Sequence, residues 1–539
     1  VFTKKALLLA KKISITSSYK EHVTFAFFKT GLFSIGSKDY GKDYSNLRIT
    51  LDYEEDYEVI KSIVDSRNSS NLSWREIIEF LTKNDHIAKI NRHIIRNASW
   101  ELSLNQDNNS YDQNTRDSLV ANSSGLLSKR ADQFSPKKWP KNYIKAKGQV
   151  VWAEGSKMYL DYSIGGIGAT TLGFGFDHVD NKVIETIRNG SASSLNSALE
   201  LEASQKLIDA VPWIESLRFT RSGGEATTLA VRLARAHSKK DAILFSGYHG
   251  WHDWYLAAAF EHKLGNHLLD NIPISGVPKA LSKTSIPFDY GDKDAFLDKI
   301  DSSEEPIGVV ILEPMRYSNP DVSFLDFVRK ECDKRNIVLI FDEISCGFRF
   351  NNNAVHLETG IYPDMVVFSK SIGNGYPIAC IGGKKEFMET TKDTFISSTT
   401  HTESIGFAAM IAVLDYYSKN NVSESLGKRG KVIKDILLST AIKYELDIQI
   451  KGLDQLWSWS FNCDSDTNRA LQTIHTENML KNSILFSNRF YSTLGIDPDF
   501  YFIFEKAIDS SFKSIKNIIN KNEDPSKYIE FGLNRLGIY

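Results

Sequence analysis

The chain has 539 residues, 42% hydrophobic and 24% charged, with a net charge of −2 at pH 7. That length is too great for one ordinary core and suits two or three globular units. The balanced charge gives no electrostatic case for nucleic acid or an anionic membrane surface, and no apolar run reaches the roughly 18 residues a membrane helix needs.

Lys4, Lys5, Lys11 and Lys12 flank only a short Ala6–Ala10 run, so no secretory pattern is read there and the cytoplasm is the expected location. A start at Val1 rather than Met allows a fragment of a longer chain. Along the first hundred residues, Val23–Phe28 and Leu47–Leu51 read as short strands and Tyr57–Val64 as helix. Ser73 and Glu76 form a capping-box pattern that starts a helix carrying Ile77, Ile78, Phe80 and Leu81. Residues 103–118 are polar, Asn-rich and aperiodic. The expected division is a first segment over 1–102, a linker over 103–124 and the main body over 125–539.

From about residue 125 short apolar runs alternate with amphipathic helices. Val309–Leu312, Ile337–Phe341 and Met365–Phe368 are buried-strand patterns, and Phe324–Arg335 is a helix between two of them. The alternation predicts an α/β unit with a mostly parallel sheet, followed by a smaller C-terminal domain. The four cysteines (Cys332, Cys346, Cys380, Cys463) form no metal-ligand pattern and read as reduced thiols, so no metal is expected.

Four features carry chemistry. The Ile337–Phe341 strand ends in Asp342, where a carboxylate can hold a cationic ring, bind a metal or simply cap a turn. Met365–Phe368 leads to Lys370 and a glycine-containing turn, Gly373-Asn374-Gly375. A partly desolvated lysine has a lowered pKa and is a nucleophile suited to Schiff-base chemistry, although a lone strand-end lysine is more often a surface charge. Arg221-Ser222-Gly223-Gly224-Glu225 opens a helix whose apolar face runs Ala226, Leu229, Ala230, Leu233, Ala234. Glycines there let backbone N–H groups approach a phosphate. Tyr248 lies in a glycine-flanked loop with His249 and can stack on a flat heterocycle or pack as an ordinary loop residue. A phosphate cradle, a stacking ring, a strand-end acid and a strand-end lysine are the parts a pyridoxal phosphate (PLP) site requires.

In these segments the chain resembles the class III aminotransferases, nearest the glutamate-1-semialdehyde aminomutase branch, over roughly residues 125–535. The resemblance rests on SGGEA (222–226), GYHGWHD (247–253), LEP (312–314), LIFDEISCGFR (339–349), PDMVVFSKSIGNGYP (363–377) and STTHTESIGFAA (398–409). It implies a fold-type I PLP-dependent transferase, with a large domain over about 170–420 and a small domain from 125–169 and 421–539. By this resemblance Lys370 would hold the cofactor and then act as the base beside the substrate Cα. Asp342 would bind the pyridinium N–H, and Ser222, Gly223 and Gly224 the phosphate. Tyr248 and His249 would complete the cofactor pocket, and Thr400 would reach the phosphate of a neighbouring subunit in a homodimer. Glu313, in the family's Glu-Pro position, would be a substrate residue. Small-molecule amino donors and carbonyl acceptors are the implied partners.

The sequence departs from the family in Gly224 (usually Thr or Ser), in the short loop Met315–Pro320, in Ser404-Ile405, and in residues 129–136, where the aminomutase substrate loop is not matched. These differences leave the cofactor set in place and leave the substrate open, with tetrapyrrole precursors not the first expectation. Residues 47–56 and 90–92 resemble the C-terminal end of the cytidylyltransferases that activate acidic sugars, in which Asp52 would help bind Mg²⁺. The first segment is therefore expected to be a partial nucleotidyltransferase-like α/β domain. The expected activity is amino transfer to a sugar or related carbonyl in surface-polysaccharide synthesis. A glutamate-1-semialdehyde-type aminomutase and a non-catalytic partner of a nucleotidyltransferase are the alternatives.

Overall fold

A computed structural model describes residues 3–14, 24–30, 32–33, 44, 46–51, 53–67, 71–92, 113–154, 157–265, 267, 272–315 and 317–535. It divides into two compact units, residues 1–110 and 111–539.

In the first unit every regular element among the described residues is helical: Lys4–Ile13, Phe25–Lys29, Glu54–Arg67, Trp74–Lys83 and Asp85–Ala88. Ser73 and Glu76 close the capping box of the Trp74 helix in both directions. Val59, Ile63, Phe80, Leu81 and Ala88 pack with Leu47 into a small core. A buried Arg48–Asp56 pair lies beside it, with Nε–Oδ1 at 2.8 Å and Nη2–Oδ2 at 2.9 Å. Asn91 donates to the same carboxylate at 2.8 Å. Among the described residues this departs from the strands expected over Val23–Phe28 and Leu47–Leu51. Phe25–Lys29 is helix rather than strand, and described residues 47–51 join no sheet. Short apolar runs are ambiguous between helix and strand, and tertiary partners decide; here Thr30 Oγ1 donates to the Ala26 carbonyl at 2.6 Å and ties off a helical turn. Asp52 lies outside the described residues.

The stretch expected to be a linker also carries structure. Gln113–Leu119 is a helix. Its Arg116 donates to the Ser123 carbonyl at 2.7 Å and to Asn142 Oδ1, and its Asp117 pairs with Lys141. Polar composition does not prevent helix formation where side chains bridge to a folded body.

The second unit has fourteen strands among the described residues: β1 Tyr143–Lys147, β2 Val150–Ala153, β3 Met158–Asp161, β4 Ser216–Thr220, β5 Ala242–Ser246, β6 Ser285–Pro287, β7 Ile307–Leu312, β8 Val338–Asp342, β9 Met365–Phe368, β10 Ala379–Gly383, β11 Ile448–Leu453, β12 Leu456–Phe461, β13 Ile484–Leu485 and β14 Arg489–Tyr491. The central seven-stranded sheet has the order β4-β10-β9-β8-β7-β5-β6. β10 runs antiparallel to both neighbours and the β9-β8-β7-β5-β6 pairs are parallel. A four-stranded sheet, β1-β2-β3-β13, and a three-stranded sheet, β11-β12-β14, complete the unit.

Period-two alternation divides the central strands between two cores. Ile243, Phe245, Val309, Ile311, Ile340 and Val367 face the helix Gly223–Ser238 and its apolar row Ala226, Leu229, Ala230, Leu233. Leu244, Val310, Leu339, Phe341, Val366 and Phe368 face the other side, with Phe324, Leu325 and Val328 of helix Val322–Arg335 and Phe407–Val413 of helix Ser404–Lys419. Truncating one of these fully buried rings, such as Phe341, to alanine costs about 3–5 kcal/mol. No helix among the described residues is long and apolar enough to cross a membrane.

Candidate active site

The site is built at the carboxyl ends of the central parallel strands, where open α/β sheets bind ligands. Asp342 ends β8 and is 2% exposed. Its Oδ2 lies 2.8 Å from Nδ1 of the buried His249, and its Oδ1 accepts the Ile344 N–H at 3.0 Å. The other His249 nitrogen faces the Ser246 carbonyl at 3.2 Å. His249 thus reaches the acid rather than the helix N-terminus, and it fixes the plane of the carboxylate. A carboxylate has about four lone-pair sites, so two donors leave capacity for a ligand N–H.

Lys370 follows β9, which pairs with β8 through Val367 and Asp342. Its Nζ donates to Ser345 Oγ at 2.6 Å, so the amine sits over the turn that Asp342 begins. Its φ is +48°, a left-handed conformation that costs a non-glycine residue roughly 1–2 kcal/mol. The surrounding loop holds that strain. Ser369 Oγ bonds the Ile378 carbonyl at 3.0 Å. The Asn374 amide accepts from Leu172 N–H at 2.9 Å and donates to the Gly173 carbonyl at 3.1 Å. The segment it grips is itself unusual: Gly165, Gly166, Ile167 and Gly168 all have positive φ, and Arg349, fully buried, donates to the Gly168 and Ser492 carbonyls.

Ser222 caps the helix Gly223–Ser238. Glu225 Oε2 accepts the Ser222 N–H at 2.9 Å and the Arg221 N–H at 3.0 Å. The N–H groups of Gly223 and Gly224 bond no acceptor among the described residues and carry the positive end of the helix dipole. A Cβ on Gly223 would lie 2.8 Å from Ile344 Cδ1, so this helix start rests directly on the Asp342 turn. Gly224 has His252 Nε2 3.3 Å from where its Cβ would be.

Tyr248 is 41% exposed. Its N–H donates to Glu313 Oε2 at 3.0 Å. Glu313 is buried just beyond β7 and donates its own N–H to the Ser246 carbonyl at 3.0 Å. A Cβ on Gly247 would come within 2.5 Å of the same Oε2, which explains the glycine, φ +114°. Glu313 therefore braces the Tyr248 loop.

Thr400 is exposed, in a turn over Thr399–Thr402, and its side chain bonds no other described residue of its own chain. Arg221 staples that turn to the β4 tip through the carbonyls of Thr400, His401 (3.0 Å) and Glu403. The structure thus pairs Asp342 with His249, bonds Lys370 to Ser345 three residues past Asp342, sets Gly223 against Ile344 of the same turn, and leaves Thr400 exposed. Sequence reasoning missed Ser345 and Arg221. Their signal was only proximity to Asp342 and to the Ser222 turn.

These residues fit PLP: a carboxylate with spare acceptor capacity for the pyridinium nitrogen, a lysine amine bonded to the turn that follows that carboxylate, and two N–H groups at a helix start for the phosphate. Comparison with known proteins agrees. The Aminotransferase class-III family profile matches residues 134–519. The chain is 30% identical over 349 residues to a glutamate-1-semialdehyde 2,1-aminomutase of Methanosphaera stadtmanae, covering 62% of this chain and 80% of the relative. It is 29% identical over 312 residues to a 3-aminobutyryl-CoA aminotransferase of Cloacimonas acidaminovorans, covering 56% and 71%. Among solved structures, the FumI protein of a Sphingopyxis species superposes with a TM-score of 0.69 at 19% identity, over 78% of this chain and 98% of that one. An omega-transaminase from Sphaerobacter thermophilus gives 0.65 at 19% identity, over 75% and 97%. At that identity the structural likeness speaks for the fold alone, that of PLP-bearing transaminases. The chain belongs to the class-III aminotransferases, PLP-dependent transaminases.

Proposed function

We propose that Lys370 carries the cofactor and that the enzyme moves an amino group from a small amine donor to the carbonyl of a sugar or related intermediate of surface-polysaccharide synthesis. The observation that carries the cofactor half is the Lys370 Nζ–Ser345 Oγ bond, which sets the amine on the turn that begins at Asp342. Bound PLP supplies an electron sink for deprotonation at the substrate Cα. Asp342 holds the ring nitrogen, with His249 fixing its carboxylate. Ser222, Gly223 and Gly224 hold the phosphate, and Tyr248 covers one ring face. Lys370, displaced by the incoming amine, would stand beside the substrate Cα as the base that takes its proton. Thr400 completes the phosphate site of a second copy in a homodimer, which accounts for its exposure. Borohydride reduction followed by peptide mass spectrometry is expected to place a pyridoxyl adduct on Lys370. An adduct on any other lysine overturns the assignment.

The sugar half rests on the resemblance of residues 47–56 and 90–92 to the end of sugar-activating cytidylyltransferases. The names of the aminomutase relatives favour a second reading, transfer of nitrogen within one substrate. Turnover of a candidate substrate with no amino donor present separates the two, because only a mutase turns over alone. A protein that docks without catalysis would show no cofactor absorbance.

A further inference from the structure

A cavity of about 690 Å³ lies on the same strand-tip face, beyond β5, β6 and β7, where neither Asp342 nor Lys370 lines it. That volume is within the roughly 300–1,000 Å³ of small-molecule pockets. It shares a wall with the cofactor residues: Gly247 and Glu313 line it, and Tyr248, whose N–H Glu313 holds, is the next residue in the chain.

The opposite wall is the hairpin β11-β12. Its register pairs Gln449 with Ser460 and Lys451 with Ser458. These four alternate with Ile448, Ile450, Trp457, Trp459 and Phe461, so one hairpin face is apolar and the other is a polar plate. All four polar residues line the cavity, with the buried Trp459 beside them. Gln449 Nε2 donates to Ser460 Oγ at 3.0 Å, which leaves the Gln449 carbonyl oxygen as an acceptor. Across from the plate stand Asp289, Tyr290, Tyr317 and Asn319, with the Lys451 ammonium 5.2 Å from the Tyr317 ring centroid. Amides, hydroxyls and carboxylates beside aromatic rings are the partners of a hydroxyl-rich ring. Among the described lining residues Asp289 and Glu313 stand with Lys451, so acidic and basic groups are mixed and the wall is not an anion cradle.

We propose that this cavity binds the polyhydroxylated body of the acceptor as a free sugar rather than a nucleotide sugar, an inference that rests on the sugar-acceptor reading above. Glucosamine, galactosamine and mannosamine represent the aminated product class. In calorimetry on the holoenzyme at least one is expected to bind in the millimolar range or tighter, and Ser458→Leu or Gln449→Leu to weaken it by about tenfold or more. With a turned-over sugar carbonyl, either variant is expected to raise the acceptor KM by about tenfold, with kcat and the donor half-reaction unchanged. Failure of all three sugars to bind overturns the proposal, as does tighter binding of UDP-N-acetylglucosamine than of free sugars. Sugar carbonyls aminated with a KM that neither variant moves sink the cavity and leave the sugar reading standing. Sugar binding that the variants abolish, without amination of any sugar carbonyl, supports the cavity and sinks the sugar reading.

Discussion

Strand β8 ends in two consecutive buried carboxylates, Asp342 at 2% exposure and Glu343 at 1%, and each is paired with a buried histidine. On the Asp342 side, His249 and the Ile344 N–H make two hydrogen bonds and acceptor capacity remains. On the Glu343 side, Oε1 accepts from His356 Nδ1 at 2.6 Å and from His356 N–H at 2.9 Å, and Oε2 accepts the Val355 N–H at 2.7 Å. Trp213 Nε1 then donates to His356 Nε2 at 2.6 Å and closes the network. A Cβ on Gly347 would stand 2.9 Å from Glu343 Oε2, so nothing else fits there. Burial and a histidine partner are common to both acids. Unspent acceptor capacity facing a lysine turn separates the one suited to chemistry from the one that holds the strand exit in shape.

The comparison breaks most visibly in activity. Asp342→Asn removes the charge of the proposed ring-nitrogen partner and is expected to lower kcat by about 10³-fold. Its unfolding free energy should stay within about 1 kcal/mol of the parent, because the amide oxygen keeps the Ile344 N–H and His249 can switch tautomer, donating from Nε2 to the Ser246 carbonyl while Nδ1 accepts the amide NH₂. Steady-state kinetics beside urea titration reads both. Retention of activity within tenfold, about 1.4 kcal/mol, would remove Asp342 from the site.

Glu343→Gln should do the reverse. The amide NH₂ meets His356 or Val355 donors instead of acceptors, and a buried network loses about 2–4 kcal/mol when a member turns from acceptor to donor. The folded fraction should keep its KM and, within about threefold, its kcat. A Glu343→Gln enzyme that is fully stable yet inactive would mean that the two acids were assigned the wrong way round.

Much of the Asp342 side could be read from residue order: a buried apolar run predicts a strand, and the residues just past its carboxyl end lie on the ligand face. The same logic placed Lys370 after β9 and the Ser222 turn at a helix start. The Glu343 side could not be read this way. His356 reaches it from 13 residues on and Trp213 from 143 residues before His356, and contacts of that range leave no local pattern. Nor does Ile167 in a left-handed turn, since its glycine neighbours advertise positive φ but a β-branched residue does not. The first unit went astray for the same reason. Phe25–Lys29 has β-prone composition yet is helical, and a short apolar run carries no local signal that separates the two.

A third buried histidine sharpens the contrast, because it has no acid at all. His475 bonds Ser511 Oγ at 3.0 Å through Nδ1, has no partner for Nε2 among the described residues, and is ringed by Trp459, Phe486 and Phe512 at 5.0–5.7 Å. Burial without a counter-charge lowers its pKa from the ordinary 6.5 to about 3. The folded protein therefore refuses a proton that the unfolded chain accepts below pH 6.5. Stability is complete above pH 6.5, falls by about 1.4 kcal/mol per unit as pH drops from 6.5 toward 3, and is down by about 2 kcal/mol at pH 5. Urea unfolding of the parent and of His475→Phe at pH 7.5, 6 and 5 isolates this contribution, since every other titrating group is common to both. The variant should lose its Ser511 bond at all three pH values and show the shallower decline below pH 6.5. Parallel declines would mean that His475 takes up a proton in the folded state, and that an apolar cage is not enough to keep a histidine neutral.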